Sequence, residues 1–286
     1  MMASAVPGPD AQAVPTAPRL SARGLRLAYD RRVVVDDLSI DIPSGGFTII
    51  VGPNACGKST LLKALSRTLS PAAGEVLLDG RPLASYRSKA VARQLAMLPQ
   101  SPIAPEAITV RDLVGRGRFP HQRLLRQWSA VDERAVEEAL AATNSEELAE
   151  RYVAELSGGQ RQRVWIAMVL AQQTGLLLLD EPTTFLDIAH QYEVLELCAR
   201  LHAEGRTLAL VLHDLNQAAR YATNLVVMKA GRVVAVGDPA QILTAELVED
   251  VFGLACVIIP DPESGTPLVI PRAARTGIRH PPVAEP

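Results

Sequence analysis

Three short apolar runs stand out along the chain, at residues 47–51, 176–179 and 208–212. Uninterrupted apolar stretches of this kind are typical of strands that are buried on both faces of a parallel sheet. The runs lead into a glycine-rich segment, Asp180 and His213, respectively. Because open α/β sheets bind ligands at the carboxyl ends of their strands, the pattern predicts an α/β core with a site at that edge.

Two other regions depart from this pattern. Residues 20–42 and 74–78 alternate more between apolar and polar positions, which predicts antiparallel strands. The segment 102–156 contains a capping-box pattern from Ser129 to Asp132. Apolar residues at helical spacing follow it, at Val136, Ala139 and Leu140. This segment is therefore predicted to be a helical lobe, inserted between core strands at about residues 102–170.

Composition limits the class of protein. The chain has 286 residues, a net charge of -2 and a pI near 6.2, so nothing indicates a nucleic-acid surface. We predict a disordered arm at residues 1–18, one domain at 19–271 and a flexible tail at 272–286. No apolar run is long enough to span a membrane, and the start does not resemble a secretory signal, so we expect a soluble cytoplasmic chain. The odd number of cysteines argues against a disulfide framework.

The glycine-rich segment matches the phosphate-loop pattern G-x-x-x-x-G-K-[ST]. It comprises Gly52, Pro53, Asn54, Ala55, Cys56, Gly57, Lys58, Ser59 and Thr60. Backbone N–H groups of such a loop cradle phosphates, Lys58 reaches the β- and γ-phosphates, and Ser59 ligates Mg²⁺. Cys56 is either merely tolerated in the loop or activated, since a helix N-terminus can lower the pKa of a nearby thiol. On the second interpretation, we predict that a thiol reagent inactivates the protein and that ATP protects it.

A second motif, Leu-Ser-Gly-Gly-Gln, ends the predicted helical lobe. Ser157 and Gln160 form an S-x-x-Q capping box, and Gly158 and Gly159 leave the N–H groups of that helix start open to an anion. The chain thus has two helix N-termini suited to phosphate, about a hundred residues apart. One nucleotide is held by both if two copies of the protein face each other.

With these two motifs in this order, the chain resembles the nucleotide-binding subunit of an ABC transporter, from about residue 20 to about residue 270. The resemblance implies a RecA-like P-loop NTPase core with an antiparallel β subdomain and an inserted helical subdomain. It also implies ATP and Mg²⁺ as ligands, an ATPase activity, and a dimer that encloses two nucleotides. The implied partners are integral-membrane permease subunits and, indirectly, a substrate-binding protein, with this chain peripheral on the cytoplasmic side of the membrane.

The same resemblance assigns roles at the strand ends. Asp180 matches the magnesium-coordinating acid, and Glu181 matches the general base for the attacking water. His213 resembles the switch histidine that contacts the γ-phosphate. Gln100 matches the glutamine that senses the metal and the membrane partner. The competing interpretation of the two acids is a solvated acidic turn before Pro182, and a lone histidine at a strand end is more often structural.

Three further positions take their meaning from the family. Tyr29 matches an aromatic residue that stacks on adenine, although a tyrosine packing in a small sheet is a competing interpretation. Asp187 resembles the dimer-contacting acid after the base. Ala55 departs from the pattern, because ABC proteins usually have glycine there; if the position needs a positive φ, alanine costs about 1 kcal/mol.

Particular strings indicate a branch of the family. Residues 110–121, 182–191 and 261–267 resemble those of ferric-siderophore importer ATPases, with cobalamin and haem importers as alternatives. A protein that uses ATP to gate a regulatory interaction would share every nucleotide motif.

We predict that the segment 101–120 docks the membrane subunit, and a solvated loop is the competing interpretation. The candidate anchors are Arg116, Arg118 and Phe119.

Overall fold

The computed structural model describes residues 18–30, 32–122 and 128–272. Most of the predicted arm at 1–18 and of the predicted tail at 272–286 lies outside these residues. Pro18 already belongs to the first strand, and the backbone N–H of Arg272 donates to Ala255 O at 2.9 Å. Within the described ranges, no helix has the length and apolar character needed to cross a membrane.

The described residues alternate between strands and helices. The strands are β1 (Pro18–Tyr29), β2 (Arg32–Pro43), β3 (Phe47–Val51), β4 (Ala73–Leu78), β5 (Arg81–Pro82), β6 (Leu95–Leu98), β7 (Leu176–Asp180), β8 (Thr207–Val211), β9 (Asn224–Lys229), β10 (Arg232–Gly237), β11 (Cys256–Pro260) and β12 (Pro267–Pro271). The α-helices are α1 (Lys58–Leu65), α2 (Ser88–Ala92), α3 (Val110–Gly115), α4 (Ala130–Ala142), α5 (Gly158–Ala171), α6 (Ile188–Ala203), α7 (Leu215–Tyr221), α8 (Pro239–Ile242) and α9 (Ala245–Phe252). Short 3-10 turns cover Leu83–Ser85, Arg116–His121, Glu146–Leu148 and Val153–Glu155.

The core is a sheet with the strand order β10-β9-β3-β8-β7-β6. Neighbours from β9 to β6 are parallel, and β10 is antiparallel to β9. The three apolar runs of the sequence form the adjacent strands β3, β8 and β7, in which every residue is buried. The predicted parallel core is therefore confirmed, and its three polar strand ends meet at one edge of the sheet.

A second sheet has the order β2-β1-β4-β5, and all its pairs are antiparallel, as the alternating pattern predicts. Helix α1 lies between the two sheets. Its Leu61 and Leu62 belong to one apolar cluster with residues of both sheets, such as Leu25 of β1 and Val211 of β8. Burial of that cluster fixes the start of α1, and with it the phosphate loop, against the end of the core sheet.

Helices α3, α4 and α5 form the region that the sequence assigns to a helical lobe. Both predicted capping boxes are present: the hydroxyl of Ser129 accepts from the N–H of Asp132, and that of Ser157 accepts from the N–H of Gln160. Each box satisfies two backbone N–H groups at the helix start, one at the N-cap residue and one three residues later. The caps therefore fix where α4 and α5 begin.

A buried ion pair joins the 3-10 turn at Arg116–His121 to α4. The Nε atom of Arg118 lies 2.9 Å from Asp132 Oδ1, and the side chains are only 3% and 11% exposed. Arg118 Nη1 also donates to the carbonyl of Ala171, at 2.8 Å. The prediction that Arg118 anchors a membrane partner is therefore wrong, because its guanidinium is engaged inside the protein.

Replacing Arg118 with alanine is expected to lower the free energy of unfolding by about 3–5 kcal/mol, because Asp132 would remain buried without its charged partner. Burial alone would raise the pKa of Asp132, but hydrogen bonds from Ser129 and Arg118 hold it below its usual value. The difference in unfolding free energy between wild type and variant should therefore be fully present above about pH 4 and should disappear as the pH falls through the lowered pKa. Urea unfolding at several pH values measures this.

The matched control is Arg116→Ala, which removes an exposed arginine from the same turn. This change should alter the free energy of unfolding by no more than about 0.5 kcal/mol. Equal losses in the two variants would contradict a special role for the buried pair.

Candidate nucleotide-binding site

An open cleft of about 550 Å³ lies at the edge where β3, β7 and β8 end. Its lining includes most of the predicted phosphate loop together with the residues predicted to act on the terminal phosphate. The lining residues are Arg32, Val34, Asn54, Ala55, Cys56, Gly57, Lys58, Ser59, Thr60, Gln100, Glu181 and His213. The structure thus brings together side chains that are far apart in the sequence.

The phosphate loop wraps closely around the start of α1. A Cβ atom at Gly52 would lie 2.2 Å from the carbonyl oxygen of Met228, so only glycine fits there. Gly57 precedes α1 in a left-handed conformation, with φ at 106°, and no side chain caps the helix. Lys58 Nζ donates to Gly52 O at 2.8 Å and to Pro53 O at 3.0 Å. An uncapped helix start beside a lysine ammonium is a site for an anion such as a phosphate.

Ala55 lies in the left-handed region, with φ at 60°. Its Cβ makes this conformation less favourable than it is for glycine, by about 1 kcal/mol. The loop holds alanine in this conformation at the surface of the cleft. The positive φ that would make alanine costly at this position is therefore present.

Ser59 and Asp180 form a site that suits a divalent cation. The hydroxyl of Ser59 donates to Asp180 Oδ1 at 2.9 Å. Asp180 is buried, and its Oδ2 atom has no hydrogen-bond partner among the described residues. Burial, and to a smaller extent the neighbouring Glu181 carboxylate, raises the pKa of Asp180. A carboxylate and a hydroxyl are oxygen ligands of the type that Mg²⁺ prefers, so these residues fit the metal.

Glu181 follows directly, and its carboxylate joins the other two predicted catalytic residues. His213 Nε2 lies 2.6 Å from Oε1, and Gln100 Nε2 donates to Oε2 at 2.7 Å. Glu181 is buried, with φ at 52°, while the His213 side chain is 45% exposed in the cleft. Three residues from separate strand ends therefore meet at one carboxylate, which is placed to accept a proton.

The second motif lies away from this cleft. None of Ser157, Gly158, Gly159 and Gln160 is among the residues that line it. In the same chain, an added Cβ at Gly159 would be 3.6 Å from Leu186 and 3.9 Å from His190. Asp187 caps α6, and its Oδ1 accepts from the backbone N–H of His190 at 3.0 Å. In a single copy, the two motifs that the sequence assigns to phosphate binding thus lie apart.

The expected activation of Cys56 is wrong. The thiol is buried within the phosphate loop, and this burial raises its pKa, although the nearby Lys58 charge opposes the effect. A buried thiol with a raised pKa forms little thiolate, which is the reactive species. The predicted inactivation by a thiol reagent therefore loses its physical basis.

Two residues of the cleft escape sequence reasoning, Arg32 and Val34 of β2. Arg32 pairs with Tyr29 across the β1–β2 hairpin, and Tyr29 itself is 44% exposed outside the lining of the cleft. The assignment of Tyr29 to adenine stacking stays a prediction. The feature of the sequence that could have identified Arg32 is its position just after the hairpin turn that follows Tyr29.

The parallel sheet, the phosphate loop at the start of α1 and the acidic strand end define a P-loop nucleotide hydrolase. The family model "ABC transporter" matches residues 35–184. The chain belongs to this family, and it is an ATPase.

Curated relatives match over nearly the whole chain. The ferric enterobactin transport ATP-binding protein FepC of Escherichia coli (strain K12) is 55% identical over 254 residues, which cover 88% of this chain and 94% of that protein. The probable siderophore transport system ATP-binding protein YusV of Bacillus subtilis (strain 168) is 52% identical, over 88% of this chain and 92% of that protein. A solved structure, an inward-facing putative metal-chelate type ABC transporter, has a TM-score of 0.76 at 30% identity, covering 90% of this chain and 98% of that chain.

Replacing Asp180 with asparagine should raise the unfolding midpoint of the nucleotide-free protein. The ionised carboxylate is destabilising above its raised pKa, so the difference should shrink as the pH falls through that pKa. The same variant should lose ATPase activity at least about a hundredfold, since the metal supplies several kcal/mol of charge stabilisation. Thermal unfolding and phosphate release measure the two effects.

The control for this prediction is Asp112→Asn, a change at an exposed carboxylate of α3. It should leave both quantities close to wild type. A less stable Asp180→Asn protein would contradict the view that this carboxylate is held at a cost to folding.

Proposed function

We propose that this chain is the ATP-hydrolysing subunit of an importer of ferric siderophores, peripheral on the cytoplasmic side of the membrane. The observation that carries the proposal is the 55% identity to the ferric enterobactin transport protein, across 94% of that protein. The second relative, a probable siderophore transport system ATP-binding protein, supports the same branch. The carried chelate itself would contact other polypeptides.

The cleft supports a division of labour among its residues. Lys58 and the start of α1 would bind the β- and γ-phosphates, and Ser59 and Asp180 would hold Mg²⁺, which neutralises charge on the phosphates. Glu181 would accept a proton from the water that attacks the γ-phosphorus, as the bond to the bridging oxygen breaks and ADP leaves. His213 and Gln100 contact Glu181 and also line the cleft, where each would be able to exchange this contact for one with the nucleotide.

The separation of the two phosphate-binding surfaces supports a dimer. A nucleotide in the cleft of one copy would also contact Ser157 and Gly159 of a second copy, and Asp187 would lie at the same junction. Phe185 and Ile188, on either side of Asp187, are 86% and 73% exposed. Exposed apolar side chains next to a predicted contact are typical of a surface that is covered in an assembly.

The segment 101–120 supports the docking of a permease. Phe119 is 68% exposed and borders an open groove of about 400 Å³, together with Arg116 and Trp128. Lys89 Nζ lies 5.6 Å from the centre of the Phe119 ring. Gln100 immediately precedes this segment and contacts Glu181, so a partner that moves the segment would change the surroundings of the base. A substrate-binding protein would act on this chain only through the permease.

The direct test is uptake of radiolabelled iron by cells whose only copy of the protein carries Glu181→Gln. Because the amide cannot accept the proton, we expect iron uptake from ferric siderophores to fall to background while cobalamin and haem uptake continue. Loss of cobalamin or haem uptake instead would show that the transported substrate is cobalamin or haem. Unchanged uptake of all three, with ATPase activity lost, would favour an ATP-gated regulatory protein.

Docking is tested with Phe119→Ala. We expect the permease-stimulated ATPase rate to fall about tenfold or more, because exposed aromatic anchors contribute on the order of 2 kcal/mol to an interface. The basal rate of the isolated chain should not change. The control is Val131→Ala, at an exposed apolar residue of α4 that is 64% exposed and not part of the groove. Equal stimulation of both variants would remove Phe119 from the docking surface.

A further inference from the structure

We propose that Thr184 is a positioning residue for hydrolysis, which holds one oxygen of Glu181 so that the other oxygen faces the nucleotide. The inference rests on the proposed role of Glu181 as the base. It adds a residue that neither the motifs nor the cleft lining identifies.

The contacts of the Glu181 carboxylate are unequal. Oε2 accepts hydrogen bonds from Gln100 Nε2 at 2.7 Å and from the hydroxyl of Thr184 at 3.2 Å. Oε1 is paired with His213 Nε2 at 2.6 Å. If His213 turns toward a γ-phosphate, Oε1 is released, whereas Oε2 still has donors. The oxygen that becomes available to a water is therefore Oε1.

Thr184 differs from the other donors in where it comes from. Gln100 follows β6 and His213 follows β8, so each can move independently of Glu181. Thr184 lies in the same tight turn as Glu181, and its backbone N–H donates to Glu181 O at 3.2 Å. The turn begins with Glu181 in the left-handed conformation, at φ 52°. Because the hydroxyl moves with the turn, its hydrogen bond persists when Gln100 and His213 leave.

A carboxylate with a fixed oxygen has a restricted rotation about its last bond. Such restriction keeps the reactive oxygen in one geometry, and small misplacements of a catalytic group lower rates strongly. Loss of the Thr184 hydroxyl should therefore slow proton transfer without changing how tightly ATP binds. Thr184 is not among the residues that line the cleft, so removing its hydroxyl leaves that lining intact.

The chain offers matched substitutions. Thr184→Val removes the hydroxyl and keeps the shape, and Thr184→Ser keeps the hydroxyl with a smaller side chain. The adjacent Thr183 is buried, and within the described residues its hydroxyl donates no hydrogen bond to this carboxylate. Thr183→Val is therefore the control for a valine in this turn.

The experiment is steady-state ATP hydrolysis by the purified full-length chain and these variants, with thermal unfolding alongside. We expect Thr184→Val to lower kcat about tenfold with an unchanged KM for ATP, as for loss of a hydrogen bond to a charged group. Thr184→Ser should recover most of the rate, and Thr183→Val should behave as wild type. If Thr184→Val does not fold, Thr184→Ala provides the same comparison with Thr184→Ser.

Two results would overturn the inference. Wild-type kcat in Thr184→Val would show that the hydroxyl is not needed, and equal losses in the valine and serine variants would show that shape matters instead. Glu181→Gln, assayed in parallel, separates the two proposals. An inactive Glu181→Gln with a fully active Thr184→Val removes only the positioning role, whereas an active Glu181→Gln removes the assignment of the base itself.

Discussion

The site depends on the parallel pairing of β3, β8 and β7. The register places Ile50 beside Val211 and Val211 beside Asp180, so that the three strands end at one level. This alignment brings the phosphate loop, the two acidic residues and His213 to one edge. The ladder is maintained by burial of every residue in the three strands. A shift of one residue in any strand would move its terminal side chain out of the cleft.

Two carboxylates follow one another at this edge, and both are buried. Asp180 has a hydrogen bond from Ser59 but an unpartnered second oxygen, while Glu181 is surrounded by donors. Negative charge held in a buried position opposes folding and favours binding of a cation. A Mg²⁺ ion held by Ser59 and Asp180 would offset the unfavourable burial of this charge.

Much of this fold could be predicted from local patterns. The apolar runs identify the central strands because burial on both faces leaves no polar positions, and S-x-x-D/Q patterns identify the starts of α4 and α5 because a cap is a local event. The cluster around Glu181 was predicted through family motifs, since its members come from different strand ends.

Features that depend on contacts between residues far apart in the chain could not be predicted from the sequence. Arg118 looks like a surface arginine until Asp132 and Ala171 O are seen around it, and neither partner is near it in the chain. The position of Cys56 before a helix suggests a lowered thiol pKa, but burial within the loop raises that pKa instead. Arg32 reaches the cleft only because the antiparallel sheet folds over α1. In each case the missing information is which surfaces the tertiary packing covers.

The capping box at Ser157 has a consequence for how a second copy would be recognised. The hydroxyl oxygen already accepts the N–H of Gln160, so one of its lone pairs is committed to the helix. Its hydrogen is not needed for the cap and can be donated to an acceptor outside the helix. The residue that starts α5 therefore keeps a proton to donate, so one hydroxyl both fixes the start of the helix and can recognise an oxyanion.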